Sequence, residues 1–294
     1  MNDEELNRLV LERARQKVEA RQAALIVEHP RQPLPERAER PGQWAFIALL
    51  LTAATGALVL LPGTLAERLG WVVHGVCAKE HSLVLGGVAL PLCQRNTGIY
   101  AGFLATLITL ILLGRGRAAK LPPRPILILL VLNVVWMGVD GFNSLLLDIG
   151  GGNWYAPQPV LRILSGLAMG MTVGTLLLFA FNVTLRANAL RSQPIMAGWR
   201  DVGIVALVEL ALFALIRLAG PFIAYPLAIF STVGILLVMF TVNLMVVAMI
   251  SRYEGRITQV VQLSRPAMFA LVLTGLEFGL LAWGRVVLER SIGM

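Results

Sequence analysis

Two cysteines and two histidines fall within one short stretch, HGVCAKEHSLVLGGVALPLCQRNTGIYAG, at residues 74–102. Cys77 and Cys93 are the only cysteines of the chain, and His74 and His81 are two of its three histidines. These residue types form disulfides or hold metals. On an oxidising side of a membrane an even pair of cysteines suits a disulfide. Closing a loop of this length would stabilise it by about 3 kcal/mol. Two thiolates and two imidazoles are also the number that tetrahedral zinc requires. The spacing of His74, Cys77, His81 and Cys93 is irregular, however, and no CxxC knuckle is present. Two unlinked thiols are the third reading, and His81 alone reads equally as a loop histidine with a backbone partner.

Charged residues inside apolar runs are the second kind of candidate, because charge at depth in a bilayer is costly and usually faces protein or water. Asp140 stands in one such run, with Asn143 close by and Asp148 at its end; Glu209 and Arg217 stand in another, Glu277 and Arg285 in a third. The segments ELALFALIR and EFGLLAWGR repeat a Glu-to-Arg spacing of eight residues. That separation is about 12 Å along a helix, so neither pair can close within its own helix. Each charge reads as a buried inter-helix contact or as part of a polar cavity opening outward. No Walker loop, Rossmann fingerprint, HExxH, GxSxG or CxxCH occurs, so nucleotide, zinc-protease, esterase and covalent-haem chemistry lack a signature.

The elements that position these residues follow from composition. Hydrophobic residues make up 57% of the 294, and mean hydropathy is +0.74. About 20 mostly apolar residues cross a bilayer. Seven stretches qualify, roughly 44–61, 98–114, 125–147, 161–182, 201–219, 225–250 and 267–288. They must be helices, because lipid offers no partner to open backbone groups. The expected fold is therefore all-α, a polytopic transmembrane bundle of about seven spans. The first span carries no charge and reads as peripheral. The charged N-terminus has no early apolar run of the signal-peptide kind.

Basic residues set the orientation. Residues 1–43 hold eight, and Arg115, Arg117, Lys120 and Arg124 crowd the loop between the second and third spans. Arg186, Arg191 and Arg200 precede the fifth span, and Arg252, Arg256 and Arg265 the seventh. The alternate loops hold few. By the positive-inside rule the N-terminus is inside, the C-terminus outside, and the loop at 70–97 extracytoplasmic. The same bias, with anionic lipid, accounts for the net charge of +8 without nucleic acid. Three regions result: a cytoplasmic helix and Pro-rich linker at 1–43, a membrane region at 44–182, and a three-helix extension at 183–294. The N-terminal helix, expected over 3–28, is either solvated or docked on a partner or the membrane.

The run CAKEHSLVLGGVALPLCQRNTGIYAGF resembles the signature of an uncharacterised bacterial membrane family, domain of unknown function 2085. GVDGFNSLLLDI at 138–149 and LRILSGLAMGMTVG at 161–174 extend the resemblance to about residues 71–182. Asn96 stands where many relatives have a further cysteine, which weakens a metal reading. The family brings no established activity. Arg95 and Arg162 are the two family-matched basic residues on the outer face. With Asn96, Asp140 and His81 they form a candidate polar or anion site, since arginine pairs bidentately with phosphate or carboxylate. Asp140 is expected near one of the two arginines. GGGNWYAPQP at 150–159 reads as an interfacial loop anchored by Trp154 and Tyr155.

Three functions compete. The favoured one is a scaffold or accessory subunit of a complex in the cytoplasmic (inner) membrane, its outer loop stapled by Cys77–Cys93. It would contact membrane lipids and protein partners and need no cofactor. The second is an outer-face enzyme or lipid- and anion-binding protein using Arg95, Arg162, Asp140 and the Cys/His loop. The third is a transporter using intramembrane carboxylates, although no inverted repeat is evident.

Overall fold

In the computed structural model the apolar runs become long helices. The structure describes residues 12–13, 33–34, 40–77 and 81–291. The helix expected over 3–28 lies outside the described residues except for Glu12 and Arg13, which are helical. Leu34 is tied to the bundle: its N–H donates to the Arg256 carbonyl at 3.1 Å, and its own carbonyl accepts from Gln262 Nε2 at 2.8 Å.

Helix α1 spans Arg40–Leu60. It stops before Pro62 and Gly63, the latter at φ 92°. Thr64 then caps the short α2, Leu65–Val72, in a reciprocal capping box with Glu67, which satisfies two N-terminal donors. Strands β1, Ser82–Leu85, and β2, Val88–Cys93, form an antiparallel hairpin. Gly86 and Gly87 make its two-residue turn, both at positive φ, as a primed turn requires. The expectation for 70–97 is a loop. The structure corrects this, because Gly-Gly lets two short apolar runs fold back on each other.

Cys93 leads into α3, Gln94–Leu112. After β3, Ala118–Lys120, comes α4, Arg124–Asp148, with Pro125 in its first turn. Pro159 opens α5, Pro159–Leu185; at this position the missing N–H is no loss. Strand β4, Leu190–Pro194, pairs in parallel with β3 at the bundle end opposite the hairpin. Helix α6 is Trp199–Leu218, α7 is Ala224–Ile250 and α8 is Ser264–Ser291, with 3-10 turns at Gly220–Ile223 and Val260–Leu263.

Six of these helical segments are long and apolar enough to cross a membrane; α2 is too short, and α6, the span expected at 201–219, is not among the six. Its 20 residues would rise about 30 Å, but Arg200, Asp201, Glu209 and Arg217 interrupt it. Asp201 is paired at one end with Arg115 at 2.9 Å. Arg217 is exposed in the last turn, so Glu209 is the one charge held at depth.

Helix α3 lies against α5, α6 and α7. Its contact with α5 is backbone on backbone. A Cβ on Gly98 would fall 2.6 Å from the Ile163 carbonyl oxygen, and one on Gly170 2.6 Å from the Phe103 nitrogen. The spaced glycines of α5 thus serve helix packing, as in membrane proteins generally. Helix α1 is peripheral: none of its apolar window is buried, and its contacts are chiefly with α8 and α2.

Candidate functional site

The first turn of α3 meets the last turns of α4 and the first of α5 at the hairpin end, and there the charged side chains converge. Asp140 on α4 is fully buried. Arg95 on α3 donates to its Oδ2 through Nη2 at 2.6 Å and Nε at 3.1 Å. Ser165 on α5 donates to the same oxygen at 3.2 Å, and the Tyr155 hydroxyl to Oδ1 at 2.8 Å. Arg95 Nη2 also reaches the Asp140 carbonyl and Ser144 Oγ, each at 3.0 Å. A carboxylate with four donated hydrogen bonds, two of them from a guanidinium, is compensated well enough to stay at depth.

Tyr155 is placed by Asn143, one turn beyond Asp140. Asn143 Oδ1 accepts from the Trp154 N–H at 2.7 Å, and its Nδ2 donates to the Tyr155 carbonyl at 2.9 Å. The 150–158 loop is thereby fixed to α4. Partial burial and donation to the Asp140 carboxylate raise the Tyr155 phenol above its ordinary value; Arg95 and Arg162 oppose this. The sequence reading missed Tyr155, Ser144 and Ser165 as partners. Tyr155 carries the ordinary signature of a headgroup anchor, and nothing in its local sequence distinguishes the two roles.

Arg162, in the first turn of α5, is only 7% exposed. Its charge bears on Tyr155, yet among the described residues no acceptor binds its guanidinium. Of the two arginines considered for Asp140, the structure pairs Arg95.

Cys77 and Cys93 are brought together. Both are thiols here, and the Cys93 N–H points at Cys77 Sγ from 3.3 Å. The Cys77 hydrogen bond, then burial, push the Cys93 thiol far above its usual range, against the smaller pull of the Asn96 amide and the Arg95 charge. The Asn96 backbone N–H thus bears on the Cys93 sulfur.

The histidines turn elsewhere. His81 Nε2 lies 3.3 Å from Asp148 Oδ1 at the end of α4. His74 Nε2 lies 3.3 Å from Glu289 Oε2 on α8 and packs on Trp71. His74, Cys77, His81 and Cys93 thus do not converge on one point. Among the described residues no group of three His, Cys, Asp or Glu side chains is placed to hold a metal.

The remaining intramembrane charges sit at separate helix interfaces. Glu209, 5% exposed, accepts from Thr106 Oγ1 on α3 at 2.9 Å. Glu277 on α8 accepts from Asn243 on α7 at 2.7 Å. Arg285 holds Glu289 at 2.6 Å and donates to the His74 and Cys77 carbonyls, tying the hairpin segment to α8. The two Glu-to-Arg repeats therefore share no common arrangement.

A helical bundle with six helices long and apolar enough to cross a membrane defines a polytopic integral membrane protein. Residues 77–176, about a third of the chain, match the model of the family described as Predicted membrane protein (DUF2085). Both cysteines, Arg95, Asp140, Tyr155, Arg162 and Ser165 lie within the matched segment. No curated protein and no solved structure matches the chain.

Proposed function

We propose that this protein is a scaffold or accessory subunit of a complex in the cytoplasmic membrane, with its hairpin end outside and a Cys77–Cys93 disulfide stapling the hairpin. The observation that carries this reading is the saturation of Asp140. Its two oxygens accept from Arg95, Tyr155 and Ser165 and its side chain has no solvent exposure, so this buried carboxylate holds α3, α4, α5 and the 150–158 loop together rather than facing a substrate. The orientation rests on the basic loops. Arg115, Arg117, Lys120 and Arg191 stand at the end opposite the hairpin, as the positive-inside rule would have it. The disulfide reading rests on the closeness of Cys77 and Cys93 and on the absence of any other cysteine. Purification of the tagged chain from its native membrane in mild detergent tests the assignment. A stoichiometric protein partner is expected. A chain that runs alone at its own mass, carrying no partner, would overturn it.

One observation favours a second reading, an outer-face site for an anion or lipid headgroup. Arg162 is buried at the same end with no acceptor among the described residues. A guanidinium in that state is a receptor for phosphate or carboxylate. Loss of bound anionic lipid in Arg162→Gln, with melting unchanged, would favour this reading over the scaffold.

A further inference from the structure

At the end of the bundle opposite the hairpin, α3, α5 and α7 part to leave a cleft of about 480 Å³. Its walls are apolar: Phe103 and Leu107 from α3, Leu177 and Leu178 from α5, Leu237 from α7. It follows α3 from Phe103 to Ile111, eight residues or about 12 Å. The outer rim is of another character. Arg117 and Arg186 both line it.

Arg186 is poorly matched to its surroundings as it stands, whereas Arg117 beside it is exposed. Arg186 caps the C-terminus of α5 and lies 5.7 Å from the Phe181 ring. Its Nε is buried, with no acceptor among the described residues. Burial, then the like charge of Arg117, depress its affinity for a proton. Neither arginine has a carboxylate partner among the described residues, although Arg115 nearby has Asp201. Both are held by backbone pairing: the Arg117 carbonyl accepts from the Leu190 N–H at 2.7 Å, and Arg186 bridges to Ile257. An anion placed between the two would relieve the repulsion that Arg117 exerts on Arg186, and one with an apolar tail would also fill the cleft beneath.

We propose that this cleft binds an anionic phospholipid, with the phosphate between Arg117 and Arg186 and one acyl chain along α3, α5 and α7. Guanidinium groups recognise phosphate oxygens by paired hydrogen bonds, and Phe103, Leu107, Leu177, Leu178 and Leu237 shed water against methylene groups. The inference is independent of the scaffold reading and uses no residue of the Asp140 cluster.

The test uses the full chain, delipidated in detergent. Binding is read by native mass spectrometry and melting with dioleoyl phosphatidylglycerol, dioleoyl phosphatidylcholine or inorganic phosphate. Phosphatidylglycerol should bind at least about tenfold more tightly than phosphatidylcholine, as expected for one or more charge-assisted contacts, and should raise the melting temperature. The Arg117→Gln/Arg186→Gln double variant should lose that preference. Equal binding of the two lipids, or a preference that survives in the folded double variant, overturns the proposal. So does inorganic phosphate matching the stabilisation given by lipid, which would make the site one for a free anion. Should the double variant fail to fold, the comparison of the three probes on the wild-type chain decides the question alone.

Discussion

Removing either member of the Arg95–Asp140 pair should destabilise the protein, and by unequal amounts. Breaking a buried ion pair by losing one partner costs about 3–5 kcal/mol, because the other charge is left uncompensated. What is left behind differs between the two variants. Asp140→Asn leaves Arg95, whose side chain is 18% exposed and keeps the Asp140 carbonyl and Ser144 as acceptors. The low end applies, about 3 kcal/mol. Arg95→Gln leaves a carboxylate with no exposure and only Tyr155 and Ser165 as donors, so roughly 4–5 kcal/mol applies. At about 2 °C per kcal/mol for a large chain, melting should fall by roughly 6 °C in the first and 8–10 °C in the second. The double variant should melt no lower than Arg95→Gln, since both charges are then gone. Thermal unfolding in detergent, followed by size-exclusion fluorescence, measures all three. Asp140→Asn melting within a degree of wild type, or the double variant losing the sum of the singles, would refute the clamp.

Peptide mapping without reductant should recover Cys77 and Cys93 as a linked pair, and Cys93→Ser should lower stability by about 3 kcal/mol; complete alkylation of both thiols in untreated membranes would contradict the pairing. The raised phenol of Tyr155 means that the folded state holds this proton more tightly than the unfolded one. Its contribution is intact below the unfolded value near pH 10 and is lost as pH rises through the folded value. The gap in melting temperature between wild type and Tyr155→Phe should therefore narrow above about pH 10; a gap constant from pH 8 to 11 would count against the bond to Asp140. Gly170→Leu should abolish the folded bundle or cost at least about 3 kcal/mol, because a Cβ there already sits 2.6 Å from the Phe103 nitrogen; normal melting would disprove the close α3–α5 contact. Gln158→Cys, exposed before α5, should react with an impermeant maleimide in intact cells of a variant lacking Cys77 and Cys93, and Ser192→Cys in β4 should not; the reverse pattern would invert the topology.

The long helices were legible because an apolar run near 20 residues has one solution in lipid. The approach of Arg95 to Asp140 was legible for a related reason: a carboxylate at that depth needs a cation, and only two were near. Which of the two would serve was not, because Arg162 sits three residues from Ser165 on α5, and the choice depends on how α3, α4 and α5 rotate against one another. The hairpin escaped notice because its strands are shorter than the window in which alternation can be read, leaving Gly86-Gly87 as its one signal. The cleft at the opposite end could not be read at all. Its walls come from three helices distant in sequence, and no segment of it differs from an ordinary lipid-facing run.

The Arg95–Asp140 pair also orders events during synthesis. Its members are 45 residues apart, so at roughly 5–20 residues per second the guanidinium leaves the ribosome about 2–9 s before the carboxylate that neutralises it. During that interval Arg95 cannot settle at its final depth without a heavy electrostatic penalty, and the start of α3 must remain at the polar surface. Helix α4 supplies the counter-charge, and α5 adds Ser165. The hairpin tip waits longer still, because Gly86 rests on Pro221 in the turn before α7. The hairpin, encoded before every helix that packs against its end of the bundle except α1 and α2, is thus among the last parts to take its final form, and an unfinished chain would present there an open cysteine hairpin and an unpaired arginine to any folding factor on that side of the membrane.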